Sequence, residues 1–328
     1  MLSIAILALE NCIHSTVTGP FDIFTIADIQ AKEMSHTGAR FCKVDIVSVT
    51  REKVYAFNGL PVPVTATITD NRQYDLIVTP ALLGDDKTIV ENENLITWLR
   101  IQHKKGACLC SVCAGAFLIA KAGLFSGKTA TTHWGLKDSF SCNYPEINLK
   151  TERMLIDEGD VISAGGVTAY LDLCLYLIKK FGSPELAVSI SKTLLIDCTR
   201  QSQAPYSRHL FTLHHGDENI IRAQKYIDAE HVDPISLQDI AVEAGLTERT
   251  LNRRFKSCTG ETPMAYLQGV RVESARNLLE TTLQSIDEIT VAVGYEDTSS
   301  FRRLFKSVVG LTPSEYRKKF SGYLNNNL

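Results

Sequence analysis

The sequence predicts an α/β domain, built on a doubly wound and mostly parallel sheet, followed by an all-α domain. In residues 1–198 short apolar runs alternate with helical patterns, and after about residue 217 the strand-like runs stop. The 328 residues are a length typical of two domains, and 45% hydrophobic with 22% charged residues is ordinary globular usage. This composition excludes a disordered chain.

The elements of the first domain follow from its apolar runs. Strands are predicted over residues 3–9, 42–49, 74–79 and 107–112, each rich in Ile, Val, Leu or Cys. Helices are predicted over residues 20–32, with Pro20 in the first turn, and over 88–104, 115–122 and 168–180. Residues 153–156 and 160–163 flank Glu158-Gly159 and predict a hairpin. Crossover helices are expected to cover both faces of the sheet.

The domain boundary is predicted from a change in composition. Residues 199–208 are polar, contain Pro205 and lack periodicity, which is typical of a linker. We therefore predict a first domain over residues 1–198, a linker over 199–216 and an all-α domain over 217–321.

Charge and cysteine content limit the classes of partner and compartment. The net charge is −3, from 34 basic and 37 acidic side chains, and from Asp217 onward 14 basic side chains face 16 acidic ones. Nucleic-acid binding would therefore depend on clustered charge. Nine scattered cysteines fit a reducing compartment. No apolar run is long enough to span a membrane and no secretion signal is present, so a cytoplasmic protein is expected.

Two segments of the second domain match each other at an offset of 49–50 residues. Gly245 and Gly294 lie 49 residues apart, whereas Phe255 and Phe305 lie 50 apart, so the second copy has one extra residue in its turn. Each copy reads as a short amphipathic helix, a glycine turn and a second helix. The sequence therefore predicts two helix-turn-helix units.

The caps and the outward faces of the two copies also match. Predicted N-caps are Ser236 with Asp239, Ser285 with Glu288, Thr247 and Asp297. The outward faces of the second helices carry Arg249, Asn252, Arg253 and Lys256 in the first copy, and Thr298, Ser299, Arg302, Arg303 and Lys306 in the second. Arginine and asparagine can each bridge two atoms of a base edge, and lysine and serine contact phosphates. A solvated basic face is the alternative, but two matching copies favour DNA binding.

This C-terminal part resembles the DNA-binding domain of the AraC/XylS family. The resemblance covers residues 217–321 and includes the closing pattern Gly310, Thr312, Pro313 and Tyr316. It implies that a helix over residues 265–280 joins the two units rigidly and that their recognition helices enter successive major grooves of double-stranded DNA. One turn of DNA is about 34 Å, a span that two such modules can reach.

A sharp turn between a strand and a helix carries Cys113 in the first domain. An elbow of this kind holds a sulfur at the N-terminus of a helix, where the helix dipole lowers the thiol pKa. His133 follows twenty residues later, and a Cys–His pair is the minimum for nucleophilic catalysis. An ordinary buried histidine is the alternative for His133. Cys108 and Cys110 alternate on a strand and are expected in the core, so no metal site is predicted.

The segments Ser-Val-Cys113-Ala-Gly and Thr-Thr-His133 resemble the ThiJ/PfpI branch of the class I glutamine amidotransferase-like superfamily. With the second domain, the chain resembles the GlxA-like subgroup of AraC regulators, whose flavodoxin-like domain is a sensor. Thr16 stands where the enzymes of the superfamily carry a glutamate, and Ala114 replaces a histidine of the protease-like members. The resemblance therefore implies an effector pocket at Thr16, Cys113, Ala114 and His133, with no catalytic residue and no cofactor.

The leading hypothesis is a transcription regulator that acts as a homodimer, binds DNA and does not contact membranes. By the resemblance, its effector is expected to be a small amino-acid-derived or quaternary-amine metabolite. The alternatives are a Cys-dependent hydrolase or hydratase fused to a DNA-binding module, and a regulator in which Cys113 is a redox sensor.

Overall fold

The computed structural model describes residues 1–35, 38–50, 53–83, 92–197, 200–208 and 215–323. The chain divides into two compact units, Met1–Gln203 and Ala204–Leu328. The division falls inside the predicted linker, of which residues 199 and 209–214 lie outside the described part. The predicted start of a helix at residue 88 also lies outside it.

The first unit is built on a seven-stranded sheet. The strands are β1 (Leu2–Leu7), β2 (Cys42–Ser48), β3 (Val54–Tyr55), β4 (Pro61–Val62), β5 (Ala66–Thr67), β6 (Leu76–Thr79), β7 (Cys108–Val112), β8 (Thr129–Ala130), β9 (Asn148–Leu149), β10 (Leu155–Asp157) and β11 (Val161–Ala164). The order in the large sheet is β10-β11-β7-β6-β1-β2-β5, and only its β10–β11 pair is antiparallel. The strands β3 with β4 and β8 with β9 form two small separate pairs. The predicted doubly wound sheet is confirmed.

Helices cover both faces of this sheet. They are α1 (Ser15–Met34), α2 (Glu93–Lys104), α3 (Ala116–Lys121), α4 (Lys137–Asn143), α5 (Ala169–Phe181) and α6 (Pro184–Thr193). Every residue of β6, β7 and β11 is buried, which requires packing on both sides of the strands. Since most residues of these strands are apolar, the core of the first unit lies along them.

Helix α1 begins at Ser15, five residues before the predicted start, so the expectation that Pro20 opens the helix is wrong. The N–H of Thr16 donates to the carbonyl of Ile13, and the N–H of Thr18 donates to that of His14. These bonds form the first turn before the proline is reached. The proline ring then fixes φ inside the helix, at the loss of one helical hydrogen bond.

The second unit contains seven helices in its described part. They are α7 (Glu218–Glu230), α8 (Leu237–Glu243), α9 (Glu248–Thr259), α10 (Pro263–Thr281), α11 (Ile286–Ala292), α12 (Thr298–Val309) and α13 (Pro313–Phe320). They bury two separate apolar clusters, and α10 contributes to both: Tyr266 and Leu267 to the first, Val272 and Leu279 to the second. One continuous helix therefore ties the two cores together.

In the described part of the chain, no helix combines the length and the apolar character that crossing a membrane requires.

Candidate functional site

The predicted elbow is present at Cys113. The residue follows β7 directly and has φ of 53°, a left-handed backbone conformation that is uncommon for a residue with a side chain. Close packing supports the turn, because a Cβ atom on Gly115 would lie 2.7 Å from the carbonyl oxygens of Thr79 and Pro80. A backbone held in such a conformation is typical of functional sites and costs about 1–3 kcal/mol.

The Cys113 thiol is protonated at neutral pH. Burial raises its pKa to about 11, and the hydrogen bond from the Ala114 backbone only partly opposes that effect. No charged side chain in the described residues contributes to this shift. The expectation that this thiol has a lowered pKa is therefore wrong. Helix α3 spans only six residues, and desolvation of the thiolate outweighs it.

Thr16 and Ala114 lie in the core beside the elbow. Thr16 is fully buried, and its hydroxyl donates to the carbonyl of Ile13 at 2.7 Å and accepts the N–H of Ala81 at 3.1 Å. Ala114 is also buried. The Thr16 side chain thus fixes the chain after β6 and offers no carboxylate that could take a proton from Cys113.

The segment that contains His133 is attached to the elbow through the side chain of the neighbouring Thr132. The Thr132 hydroxyl donates to the carbonyl of Cys113 at 2.8 Å. The imidazole Nδ1 of His133 accepts the N–H of Gly135 at 3.0 Å, which leaves the proton of a neutral ring on Nε2. Burial lowers the pKa of this imidazole. Among the hydrogen bonds of the described residues none joins Cys113 to His133.

A cavity of about 280 Å³ opens at the same edge of the sheet, where β1, β2 and β6 end. It is lined by Leu9, Glu10, Ser48, Val49, Thr50, Val54, Leu82, Asn92 and Leu95. None of the four predicted pocket residues is in this lining. Glu10 brings a carboxylate to it, and this carboxylate accepts the N–H of Tyr55 at 3.3 Å. Ligands of open α/β sheets bind at this edge, at the carboxyl ends of the strands.

The buried position of Gln203 was not predicted from the sequence, which placed this residue in the linker. Its side chain is buried, and its amide nitrogen lies within hydrogen-bond distance of four oxygen atoms of the segments that contain Thr132 and Arg153. A Cβ on Gly165 would lie 2.0 Å from this nitrogen, so the glycine serves close packing. These contacts join residues 50 to 72 positions apart in the chain, so no local sequence pattern predicts them.

Metal ligands do not cluster in the described residues, where no group of three or more His, Cys, Asp or Glu side chains could hold an ion. Cys108 and Cys110 are buried in β7.

Both predicted helix-turn-helix units are present, with matching local chemistry. Complete capping boxes start α8, at Ser236 with Asp239, and α11, at Ser285 with Glu288. Gly245 and Gly294 have φ of 66° and 84°, which is the left-handed conformation that the turns need. Thr247 caps α9 through the N–H of Thr250, and Asp297 caps α12 through the N–H groups of Ser299 and Ser300.

The outward faces of α9 and α12 are polar and accessible. Arg249, Arg253 and Lys256 of α9 and Ser299, Arg302, Arg303 and Lys306 of α12 are exposed, while Asn252 and Thr298 are half-buried. The opposite faces bury Leu251 and Phe255, and Phe301 and Phe305. Each helix therefore presents basic side chains while its aromatic side chains hold it in the core.

Adjacent arginines of α9 have different surroundings. Arg254 forms a forked ion pair with Asp217, at 2.6 and 2.9 Å, and links α9 to the start of α7. Arg253 is exposed. On α12, Arg302 lies 3.9 Å from Asp287 and Arg303 donates to the Ser300 hydroxyl at 3.2 Å, so both remain on the accessible face.

Two family models match the chain. The DJ-1/PfpI family model matches residues 3–180, and a helix-turn-helix domain model matches residues 240–319. The first covers more than half of the chain.

Curated relatives include both regulators and an enzyme. The regulator CdhR of Pseudomonas aeruginosa is 29% identical over 83% of this chain and 80% of its own length. The regulator GlxA of Rhizobium meliloti is 26% identical over 68% of this chain and 69% of its own. Isonitrile hydratase of Pseudomonas putida is 28% identical over 55% of this chain and 72% of its own.

A solved structure shares the fold of the first unit. An AraC family transcriptional regulator from Pseudomonas putida aligns with 59% of this chain and 100% of its own, at a TM-score of 0.51 and 18% identity. The chain thus belongs to the DJ-1/PfpI family, and it joins that family's domain to a helix-turn-helix domain of the AraC type.

Proposed function

We propose that this DNA-binding transcription regulator recognises specific DNA sequences through α9 and α12 and binds a small-molecule effector in its first unit. The observation that carries the proposal is the pair of matching helices, each capped, anchored by aromatic side chains and exposing a basic face. Arg253 and Arg303 hold equivalent places on the two helices. We assign them to base contacts, since arginine can donate two hydrogen bonds to one guanine.

The domain scheme of a sensor over residues 1–198, a linker over 199–216 and a DNA-binding domain over 217–321 is part of this proposal. The separate apolar cores of the two helix-turn-helix units support two separate DNA contacts. Because α10 runs through both cores, the spacing of the two recognition helices is fixed. That geometry suits two major-groove segments on one face of the DNA.

Effector binding without catalysis is the role that we assign to the elbow. A neutral, buried Cys113 thiol is a weak nucleophile, since the thiolate is the reactive form. Thr16 supplies no carboxylate, and His133 bonds to Gly135. The proposal therefore keeps Thr16, Cys113, Ala114 and His133 as residues that shape the effector site.

The cavity at the carboxyl ends of β1, β2 and β6, whose lining contains none of these four residues, is a second candidate location for the effector, and it favours an effector with a cationic group. Glu10 is the acidic side chain in its lining, and an amine or quaternary amine would place its positive charge against this carboxylate. The proposed class is an amino-acid-derived or quaternary-amine metabolite. A thermal-shift panel of amino acids and betaines tests it on the full chain: a ligand at 100-fold its Kd adds about 2.7 kcal/mol of stability. Glu10→Gln should remove that shift.

Binding measurements on DNA test the proposed base contacts. The wild-type chain first selects its sites from a random pool, and fluorescence anisotropy then compares variants on the selected DNA. Arg253→Ala and Arg303→Ala should each weaken binding by about 1–3 kcal/mol. Arg222→Ala, on an exposed position of α7, is the matched control and should bind like the wild type. Wild-type affinity in both test variants would contradict the assignment.

The effector response distinguishes the pocket from a catalytic site. Cys113→Ser keeps the size of the side chain and should leave the response intact if the site only binds. Cys113→Trp should abolish the response, because the indole fills the site, and DNA binding without effector should stay within the about 1–3 kcal/mol by which effector and DNA sites are coupled. A Cys113→Ser variant without response would favour the enzyme or the redox sensor.

We also propose a homodimer formed through the first unit, since two-fold oligomers are the commonest assemblies and paired DNA sites suit them. Light scattering at micromolar concentration, with and without DNA, measures the mass directly. A monomer under both conditions would contradict the proposal.

An enzyme is the second candidate, and the match to isonitrile hydratase over 55% of the chain favours it. It predicts turnover of an isonitrile that stops when Cys113 is changed to Ala. The regulator hypothesis predicts no turnover above the buffer rate.

A further inference from the structure

The last residues of the first unit are attached to that unit as an added short strand. The N–H of Met154 donates to the carbonyl of Gln201 at 3.2 Å, and the N–H of Gln203 donates to the carbonyl of Glu152 at 2.9 Å. Residues 201–203 therefore run antiparallel to residues 152–154 in a fixed register.

The Gln203 side chain fixes this strand further. Its amide nitrogen lies 3.2 Å from the Thr131 hydroxyl and 2.9, 2.9 and 3.0 Å from the carbonyls of Thr132, Thr151 and Arg153. Two amide hydrogens thus meet four acceptors around a buried side chain. Loss of this amide would remove one donor from each of these oxygen atoms, which costs stability where the acceptor is buried.

The same group of residues touches the elbow. Thr132 accepts from Gln203 through its carbonyl and donates through its hydroxyl to the carbonyl of Cys113 at 2.8 Å. A Cβ on Gly166 would lie 3.7 Å from the His133 ring and 3.9 Å from the Gln203 side chain, so that glycine lies against both. Thr132 therefore connects the Cys113 turn directly to the site of Gln203.

The first residues of the second unit are attached to that unit by Arg276 of α10. Its guanidinium donates to the carbonyl of Ser207 and, at 3.2 Å, to the carbonyl of Ala204. The Arg276 side chain is 5% exposed and pairs with Glu273 at 2.7 Å. Residues 204–207 are thus fixed by a buried, paired cation.

Arg276 also contacts the aromatic residues that support the second recognition helix. Its guanidinium lies 5.7 Å from the centre of the Tyr316 ring, and Tyr316 packs edge-on against Phe305 of α12 at 5.6 Å. The Tyr316 hydroxyl donates to Glu280 at 2.5 Å. Arg276, Tyr316 and Phe305 therefore form a continuous path from residues 204–207 to α12.

We propose that residues 201–207 form a strap that transmits a change at the elbow to the second helix-turn-helix unit. The two attachments are consecutive in the chain, since Gln203 and Ala204 share a peptide bond. Release of Gln203 from its site should therefore weaken the hydrogen bonds from Arg276 to the carbonyls of Ala204 and Ser207. The contacts of Arg276 with Tyr316, and of Tyr316 with Phe305 of α12, should then weaken as well. The inference rests on the proposed function and names how its sensor acts on its DNA-binding unit.

Gln203→Met tests the strap in the full chain, because methionine keeps the length of the side chain and removes the amide. Gln201→Met is the matched control, two residues away and exposed. Hydrogen exchange of the Tyr206 and Ser207 amides should become at least about fivefold faster in Gln203→Met only. Affinity for the DNA selected by the wild type should change by a similar factor.

Arg276→Lys tests the coupling in the reverse direction, since coupling between two sites is reciprocal. Lysine keeps the positive charge but has no guanidinium, whose two nitrogens donate to the carbonyls of Ser207 and Ala204. Exchange of the Gln203 and Met154 amides, in the first unit, should become at least about fivefold faster. Arg222→Lys, on exposed α7, is the control for the loss of a guanidinium. Circular dichroism must show that both test variants remain folded.

Two results would overturn the strap. If Gln203→Met speeds exchange at Met154 while Tyr206, Ser207 and DNA affinity stay within twofold of the wild type, the two attachments are independent. Unchanged exchange at every one of these amides would overturn it as well. Failure of the proposed function is distinguishable: the wild type would then select no DNA sequence, whereas amide exchange would still report whether the attachments are coupled.

Discussion

Alkylation of Cys113 by iodoacetamide tests the chemical character of the elbow. The thiolate is the reacting form, and burial raises the pKa of Cys113 to about 11 from an ordinary value of 9.0. Two pH units correspond to a thiolate population about 100-fold smaller at neutral pH than that of an unperturbed thiol. Because the pKa is raised, the rate should still grow about tenfold per pH unit near pH 10.

Mass spectrometry can follow Cys113 and the exposed Cys142 in the same sample between pH 6 and pH 10.5. Cys142 is the internal control for reagent and time. We expect Cys113 to react at least about 100-fold more slowly than Cys142 at pH 7.5, and burial slows it further. In urea the two rates should converge. A Cys113 rate that exceeds that of Cys142, or that reaches a plateau below pH 8, would show that the thiol is not held protonated by burial and would favour a nucleophile or redox sensor.

Two further predictions concern stability. Asp217→Asn keeps the N-cap of α7 and removes the ion pair with Arg254, so urea denaturation at pH 7 should show a loss of about 1 kcal/mol. The Arg254 guanidinium holds the pKa of Asp217 below its ordinary 3.8, so this contribution is present above pH 3.8 and the difference should vanish as the pH falls through the lowered pKa. Gly115→Ala should cost about 1–3 kcal/mol, because its Cβ would meet the backbone of Thr79 at 2.7 Å. Gly166→Ala, where a Cβ finds only ordinary contacts, should cost less in the same assay; equal losses would contradict the packing argument.

The features that could be predicted from the sequence depend on residues that lie close together in the chain. Caps and glycine turns act within a few residues, so the helix-turn-helix units were predicted down to the N-caps Thr247 and Asp297. Helical periodicity also placed Arg253, but not Arg254, on the outward face of α9, because the side chains of adjacent helical residues point about 100° apart. The partner of Arg254, however, lies 37 residues earlier, at Asp217. No spacing in the sequence indicates that pair.

The backbone shape of the elbow at Cys113 was predicted correctly, but the direction of the shift in its thiol pKa was not. The strand, the turn and the helix around Cys113 follow from their residues, whereas the pKa of the thiol depends on everything that packs against it. Gln203 and Arg276 were missed for the same reason. Both act on backbone carbonyls far away in the sequence, and carbonyl groups carry no sequence signal.

Footprinting of the full chain on DNA that it selects from a random pool tests whether α9 and α12 both read the DNA. We expect two protected major-groove segments about one helical turn apart on one face of the DNA. Arg253→Ala should lose base preference in one segment and Arg303→Ala in the other. Selection that enriches no sequence, or a footprint and base preference that neither substitution changes, would contradict the account.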